Sequence, residues 1–242
     1  EVGAFPPGGV ARSTSYELPL RLRAGADTSA IAFGELNFAR WAITSYGVLK
    51  SLKEAGKVPR SWRLQVGLPA PQDVMSLLEA PSRAAVETPY ERALLAELAR
   101  IQSVIPHDEL AITWDAVRVV LIWEDPANAY VRPWWAEPKP GVVERLVRLG
   151  NAVAPDVEMG YHLCYGSQDH SHAINPRSLG ACVEIVNALS SRLARRIDYV
   201  HMPVPRDRSD DAYFAPLATL DRARSGRVYL GRSEEHTSEL QS

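Results

Sequence analysis

Glu158-Met-Gly-Tyr-His-Leu-Cys-Tyr165 is the stretch on which the reading of this chain turns. It is short, apolar and aromatic, with a single glycine, which is the profile of a buried β-strand. On a strand, residues i and i+2 project from the same face. His162 and Cys164 are therefore expected to share one wall, with Leu163 turned away between them. An imidazole and a thiol are two of the ligand types that zinc takes. The plainer alternative is a packed cysteine beside a hydrogen-bonded histidine, since free cysteine is among the most buried residue types.

Further strands are expected on either side of this one, at Arg63–Leu68, Leu110–Trp114, Asp198–Met202 and Arg227–Leu230. Helical patterns lie between them. Residues 35–55 carry the stripe Leu36, Ala39, Ala42, Ile43, Tyr46 and Leu49, closed by Gly56. Residues 71–79 predict a short helix. Thr88-Pro-Tyr-Glu predicts the start of a long one running to Val104, with an N-cap, a proline at N1 and a glutamate at N3. Helices are also expected over 116–124, 141–153 and 176–195. The proline-rich stretch 125–140 and the histidine-bearing stretch 166–176 read as loops.

Strands alternating with helices at this spacing imply parallel βαβ units. No Gly-x-Gly-x-x-Gly follows a strand and no Gly-x-x-x-x-Gly-Lys-Ser/Thr occurs, so nucleotide-binding folds lose support. The fold class expected is α/β, a (β/α)8 TIM-type barrel incomplete at the C-terminus. Its chemistry then belongs at the C-terminal ends of the strands. That rule selects Pro69, Asp115, His162 with Cys164, and His201.

Composition sets the outer bounds. The 242 residues are 46% apolar and 23% charged, with a formal charge of −2 and no basic block, so nucleic acid is not the expected partner. No apolar run reaches the roughly 18–20 residues that cross a bilayer, so no membrane partner is expected. No secretory signal pattern is present. Two cysteines make no disulfide framework, and a cytoplasmic setting is the default. Residue 1 is Glu, and Arg232 to Ser242 resembles the in-frame translation of a common sequencing adapter. The division expected is an N-terminal arm over 1–29, a partial barrel domain over 30–231 and a non-native tail over 232–242, which removes His236 from consideration.

Each further candidate has two readings. His201, at the end of the next strand, stands about 4.8 Å from its neighbour strand and could reach an ion held by His162 and Cys164. Asp115 could hold a substrate ammonium, or it could cap the helix that follows it. Arg206 and Arg208, aimed by Pro203 and Pro205, could take a carboxylate or phosphate, or form a self-neutralising loop in which Asp210 or Asp211 caps a helix. His170 and His172 lie in a polar loop that positions ligands poorly. Trp134 and Trp135 could cover a flat ligand or simply pack. Glu184 could approach a metal only if its helix end faces the site, and Cys182 on that helix reads as core.

Ile105-Pro-His-Asp-Glu-Leu-Ala-Ile-Thr-Trp-Asp115, Gly160-Tyr-His-Leu-Cys-Tyr165 and His201-Met-Pro-Val-Pro-Arg-Asp-Arg208 together resemble the C-terminal catalytic domain of cobalamin-independent methionine synthase. That domain belongs to the barrel superfamily shared with uroporphyrinogen decarboxylase, and the resemblance spans about residues 30–231. It implies a zinc-dependent methyltransferase. His162 and Cys164 match the family's His-x-Cys ligand pair, and His201 falls where the family has an acidic ligand. A later cysteine ligand would lie beyond Gly231. Asp115 matches the aspartate that orients the amino group of the substrate. The partners implied are a small-molecule thiol and a methyl donor, and the cofactor is zinc. Zinc would hold the thiol as its thiolate, which otherwise is mostly protonated near pKa 8.5. A metal-free barrel enzyme of decarboxylase type and a non-catalytic binding protein are the alternatives.

Overall fold

The computed structural model describes residues 20–127, 132–165, 167–168, 171–172, 176–205 and 207–232. At its centre is a five-stranded parallel sheet built from β1 (Leu64–Pro69), β2 (Leu110–Ala116), β3 (Glu158–Leu163), β6 (Tyr199–Val204) and β7 (Arg227–Arg232), in that order. A two-stranded antiparallel pair, β4 (Ser167–Gln168) and β5 (Ser171–His172), is inserted after β3. The chain is thus α/β, and successive sheet strands are spatial neighbours.

Parallel neighbours need crossover connections, and right-handed crossovers between sequential strands put every connecting segment on one face. The long helices are α1 (Phe38–Glu54), α3 (Ala80–Val104), α4 (Val117–Glu124), α5 (Pro138–Ala152) and α6 (Gly180–Arg192). Two short ones, α2 (Pro71–Met75) and α7 (Asp211–Phe214), follow β1 and β6. Under the helices lies one continuous apolar core. It takes Leu68, Ile112, Trp114, Met159, Tyr161, Leu163, Val200 and Met202 from the sheet, and Leu94, Leu98, Val119, Leu146, Ile185 and Leu189 from the helices.

Helix starts differ from expectation in instructive ways. α3 begins at Ala80, and Pro89 sits inside it, so Thr88 is not its cap. An interior proline removes a helical hydrogen bond. Here Val86, Tyr90, Leu94, Leu98 and Ile101 are all buried at helical spacing, and this stripe runs straight through the proline. Arg145 and the indole of Trp134 also hold the buried Glu87 in the earlier half of the helix. Helix α1 starts three residues later than expected. Its entry is held from a distance by Glu97 of α3, whose carboxylate accepts Leu36 N–H, two residues before the helix, at 2.9 Å and Ala39 N–H, in the first turn, at 2.6 Å. It ends as expected at Gly56, which adopts φ 66°.

Helix α5 begins at Pro138, three residues early, with the proline in the first turn where its missing N–H costs nothing. α6 is shorter at both ends than the expected 176–195. The described part of the expected N-terminal arm is tied down: Leu20 exchanges backbone hydrogen bonds with Leu77 and Glu79, and Leu22 N–H donates to Ser82. Among the described residues no helix is long and apolar enough to cross a membrane.

Candidate functional site

The sheet face away from the helices is polar. It lines a cavity of about 700 Å³ through residues at alternate positions of every strand. Strand register arranges them in rows. Asp115 pairs with His162, His162 with His201, and His201 with Tyr229, while Pro69 of β1 pairs with Asp115. The strand ends picked out from sequence thus stand side by side at the C-terminal edge of the sheet. One step below, Thr113, Gly160, Tyr199 and Arg227 form the next row, and Gln65, Ala111 and Glu158 the lowest.

The upper row holds the groups with the most chemistry. Nδ1 of His162 and Nδ1 of His201 are 2.6 Å apart, and the rings are nearly parallel, at 16° with centroids 4.7 Å apart. A contact this short between two nitrogens needs one proton between them, so one ring donates and the other accepts. Burial, and next the charge of His162, hold the imidazole of His201 below its ordinary pKa. Nε2 of His162 lies 3.8 Å from Oδ1 of Asp115. Burial raises the Asp115 carboxyl above the usual range, and His162 opposes the shift. That same Oδ1 is buried and has no hydrogen-bond partner.

Asp115 owes this spare oxygen to another residue. The first N–H groups of α4, from Val117 and Arg118, donate at 3.1 and 2.7 Å to Asp73 of α2. The capping role open to Asp115 from sequence is therefore filled by Asp73, and the Asp115 side chain points into the cavity. Burial pushes the Asp73 carboxyl up to about 7, against the pull of the Arg118 N–H and charge.

A hydrogen-bonded chain that sequence reasoning missed runs from the lowest row into the middle one. Gln65 Nε2 donates to Thr113 Oγ1 at 2.6 Å, Thr113 Oγ1 and the Tyr199 hydroxyl are 2.6 Å apart, and Tyr199 donates to the Ile112 carbonyl at 3.1 Å. A hydroxyl has one proton, so Thr113 must donate to Tyr199 and the chain has a fixed direction. Tyr199 reaches Thr113 by crossing β3 over Gly160, where a methyl group would overlap its ring and backbone. Below, Glu158 of β3 bridges Arg63, which immediately precedes β1, and Arg227 of β7. The signal for all of these was the period of two: polar residues at 63, 65 and 113, 115 and again at 199, 201 alternate with apolar ones.

Other candidates fall elsewhere. Cys164 follows the last residue of β3, is half-buried, and is not among the residues lining the cavity. The strand itself stops at Leu163, two residues short of the expected 165, yet the alternation of burial carries on, with His162 and Cys164 half-buried and Leu163 and Tyr165 buried. Cys182 is fully buried, as its core reading required, and burial pushes its thiol up to about 12, with Cys164 close enough to add to the shift. Arg208 forms a two-pronged pair with Asp210 at 2.9 and 3.2 Å, donates to the Arg177 carbonyl and lies over the Tyr213 ring. Asp210 caps α7 through Tyr213 N–H. This is the self-neutralising arrangement, and Arg208 does not join the cavity. Arg206 and His170 lie outside the described residues, as does the side chain of His172.

Trp134 and Trp135 pack edge to face at 4.9 Å against α3 and α5, with the Arg145 guanidinium 3.8 Å from the Trp135 ring. Glu184 is exposed on the helical side, where it accepts from Trp123 and Lys139.

Comparison with family models, curated proteins and solved structures gives no match.

Zinc must be judged on the donors present. Two imidazole nitrogens converge on one point, but two ligands of one tetrahedral zinc stand about 3.3 Å apart, given Zn–N distances of about 2.0–2.1 Å. Among the described residues no three histidine, cysteine, aspartate or glutamate side chains are grouped so as to hold a metal ion. His162 and His201 thus fit in kind, with a modest separation of the rings required, and Cys164, two residues from His162, is not among the residues lining the cavity.

Proposed function

We propose that these five strands and the helices that connect them are consecutive parts of a (β/α)8 barrel enzyme acting in the cytoplasm. We propose further that it is a zinc-dependent methyltransferase of methionine-synthase type acting on a small-molecule thiol. Sequential parallel order with helices on one face supports the barrel reading, since that is the arrangement of neighbouring barrel units. The observation that carries the functional reading is the His162–His201 nitrogen pair beside the orphaned oxygen of Asp115, at the strand ends where barrel enzymes do their chemistry. The resemblance of the strand motifs to the methionine synthase domain points the same way.

His162 and His201 would hold the ion, which when bound keeps a substrate sulfur as its thiolate. The protein's own groups do the rest. Asp115, with an unspent oxygen, can take a substrate ammonium through a charge-assisted hydrogen bond, and pairing there would recover the cost of its burial. The Gln65–Thr113–Tyr199 chain forms a fixed polar floor. Both hydroxyl protons are spent within the chain, so the amide of Gln65 is the donor left to read a ligand.

The test is metal content and methyl transfer to a thiol, measured on the wild type beside His162→Ala, His201→Ala and Cys164→Ala. About one zinc per chain, lost in both histidine variants together with methyl transfer, is expected. Wild-type protein that takes up no zinc would overturn the reading. A metal-free alternative is favoured by one observation: the 2.6 Å contact is a proton-sharing pair as it stands, suited to acid–base work. It predicts activity that survives a chelator.

A further inference from the structure

His201 meets His162 because of what stands on its other flank. Gly231 lies on β7, the strand beside β6, two residues beyond the Tyr229 that pairs with His201. A methyl carbon built on Gly231 would overlap Nε2 and Cε1 of His201. The imidazole therefore rests directly on the Gly231 backbone. On the opposite flank is the ring of His162, already at hydrogen-bond distance. A side chain at 231 could not be absorbed by sliding the imidazole sideways, because that space is occupied. Nor is glycine needed here for its backbone freedom: among the described residues the glycines with positive φ are 25, 56 and 226. The requirement at 231 is room. Gly67, on the same face of β1, makes the contrast, with nothing within 4 Å of an added methyl group.

We propose that Gly231 is a positioning residue for the histidine pair. Its lack of a side chain lets β7 come up against His201 and hold that ring in line with His162. This inference rests on the pair being the working centre described above, but its test does not depend on zinc or on activity.

The test is a double-mutant cycle in urea with Gly231→Ala, His201→Ala and the combined variant, run beside Gly67→Ala. Gly231→Ala is expected to lower the unfolding midpoint clearly in the wild type and hardly at all once the His201 ring is gone. If Gly231→Ala alone fails to fold, recovery of folding in the combined variant gives the same answer. Equal losses in both backgrounds would overturn the proposal, as would a combined variant that fails to fold where His201→Ala folds. Imidazole NMR supplies a readout that a merely structural glycine would not move. The shared Nδ1 proton signal should vanish in Gly231→Ala and persist in Gly67→Ala, and its persistence in Gly231→Ala would also overturn the proposal. If the wild type binds zinc, Gly231→Ala should weaken that binding about tenfold or more.

Discussion

The two faces of this sheet come from the same strands and differ by one residue in phase. On β2, Ile112 and Trp114 are fully buried under the helices, while Thr113 and Asp115 face the cavity. On β6, Val200 and Met202 do the first job and Tyr199 and His201 the second. Parallel strands are usually buried on both faces and read as continuous apolar runs. Here only one face is oily. The other spends its positions on hydrogen bonds, ion pairs and paired imidazoles. The difference indicates that stability is concentrated behind the sheet and chemistry in front of it, so neighbouring substitutions should have separable effects.

The sharpest way to break that division is at Trp114 and Thr113. Trp114→Ala empties a large, fully buried site and should cost about 3–5 kcal/mol in urea unfolding. A loss below about 1 kcal/mol would mean that the helical side is not the main source of stability. Thr113→Val, one residue away, keeps the shape but cuts the chain between Gln65 and Tyr199. It should cost about 1–2 kcal/mol, as an interrupted buried hydrogen bond does.

Next in size is a pH effect at Asp73. Its folded carboxyl is raised to about 7, so the folded chain keeps a proton that the unfolded chain has already lost. The stability it contributes is complete below the ordinary aspartate range and is lost as pH rises toward 7. Urea midpoints at pH 5 and pH 8 should therefore differ more in the wild type than in Asp73→Asn, which still offers an oxygen to the α4 N–H groups. An unchanged difference in the variant would exclude Asp73 as the source. The smallest effect is expected at the lowest row. Arg63 is 44% exposed, so Arg63→Ala should cost under about 1 kcal/mol despite its contact with Glu158.

The sequence was legible where local pattern and tertiary role agreed. The five sheet strands and the end positions Pro69, Asp115, His162 and His201 followed from apolar runs and their boundaries. Long-range partners were not legible. Nothing near Asp115 says that Asp73, 42 positions earlier, takes its capping duty, and nothing near Leu36 points to Glu97. Pro89 misled for the opposite reason: a strong local start signal was overruled by a stripe of buried side chains running past it. The polar face is visible as alternation, but the barrel rule singles out only the strand ends, which leaves Gln65, Thr113, Tyr199 and Glu158 to be found in the fold.

Tyr199 has one more implication. Its ring lies across β3 above Gly160 and fastens to Thr113, so β2 and β6 are joined by a rigid crossbar. Asp115 and His201 stand on those same two strands, one step above the bar. The gap between carboxylate and imidazole is thus gauged from beneath by a phenol that touches neither, and a bulkier residue at 160 would change the width of the opening without altering any group that lines its rim.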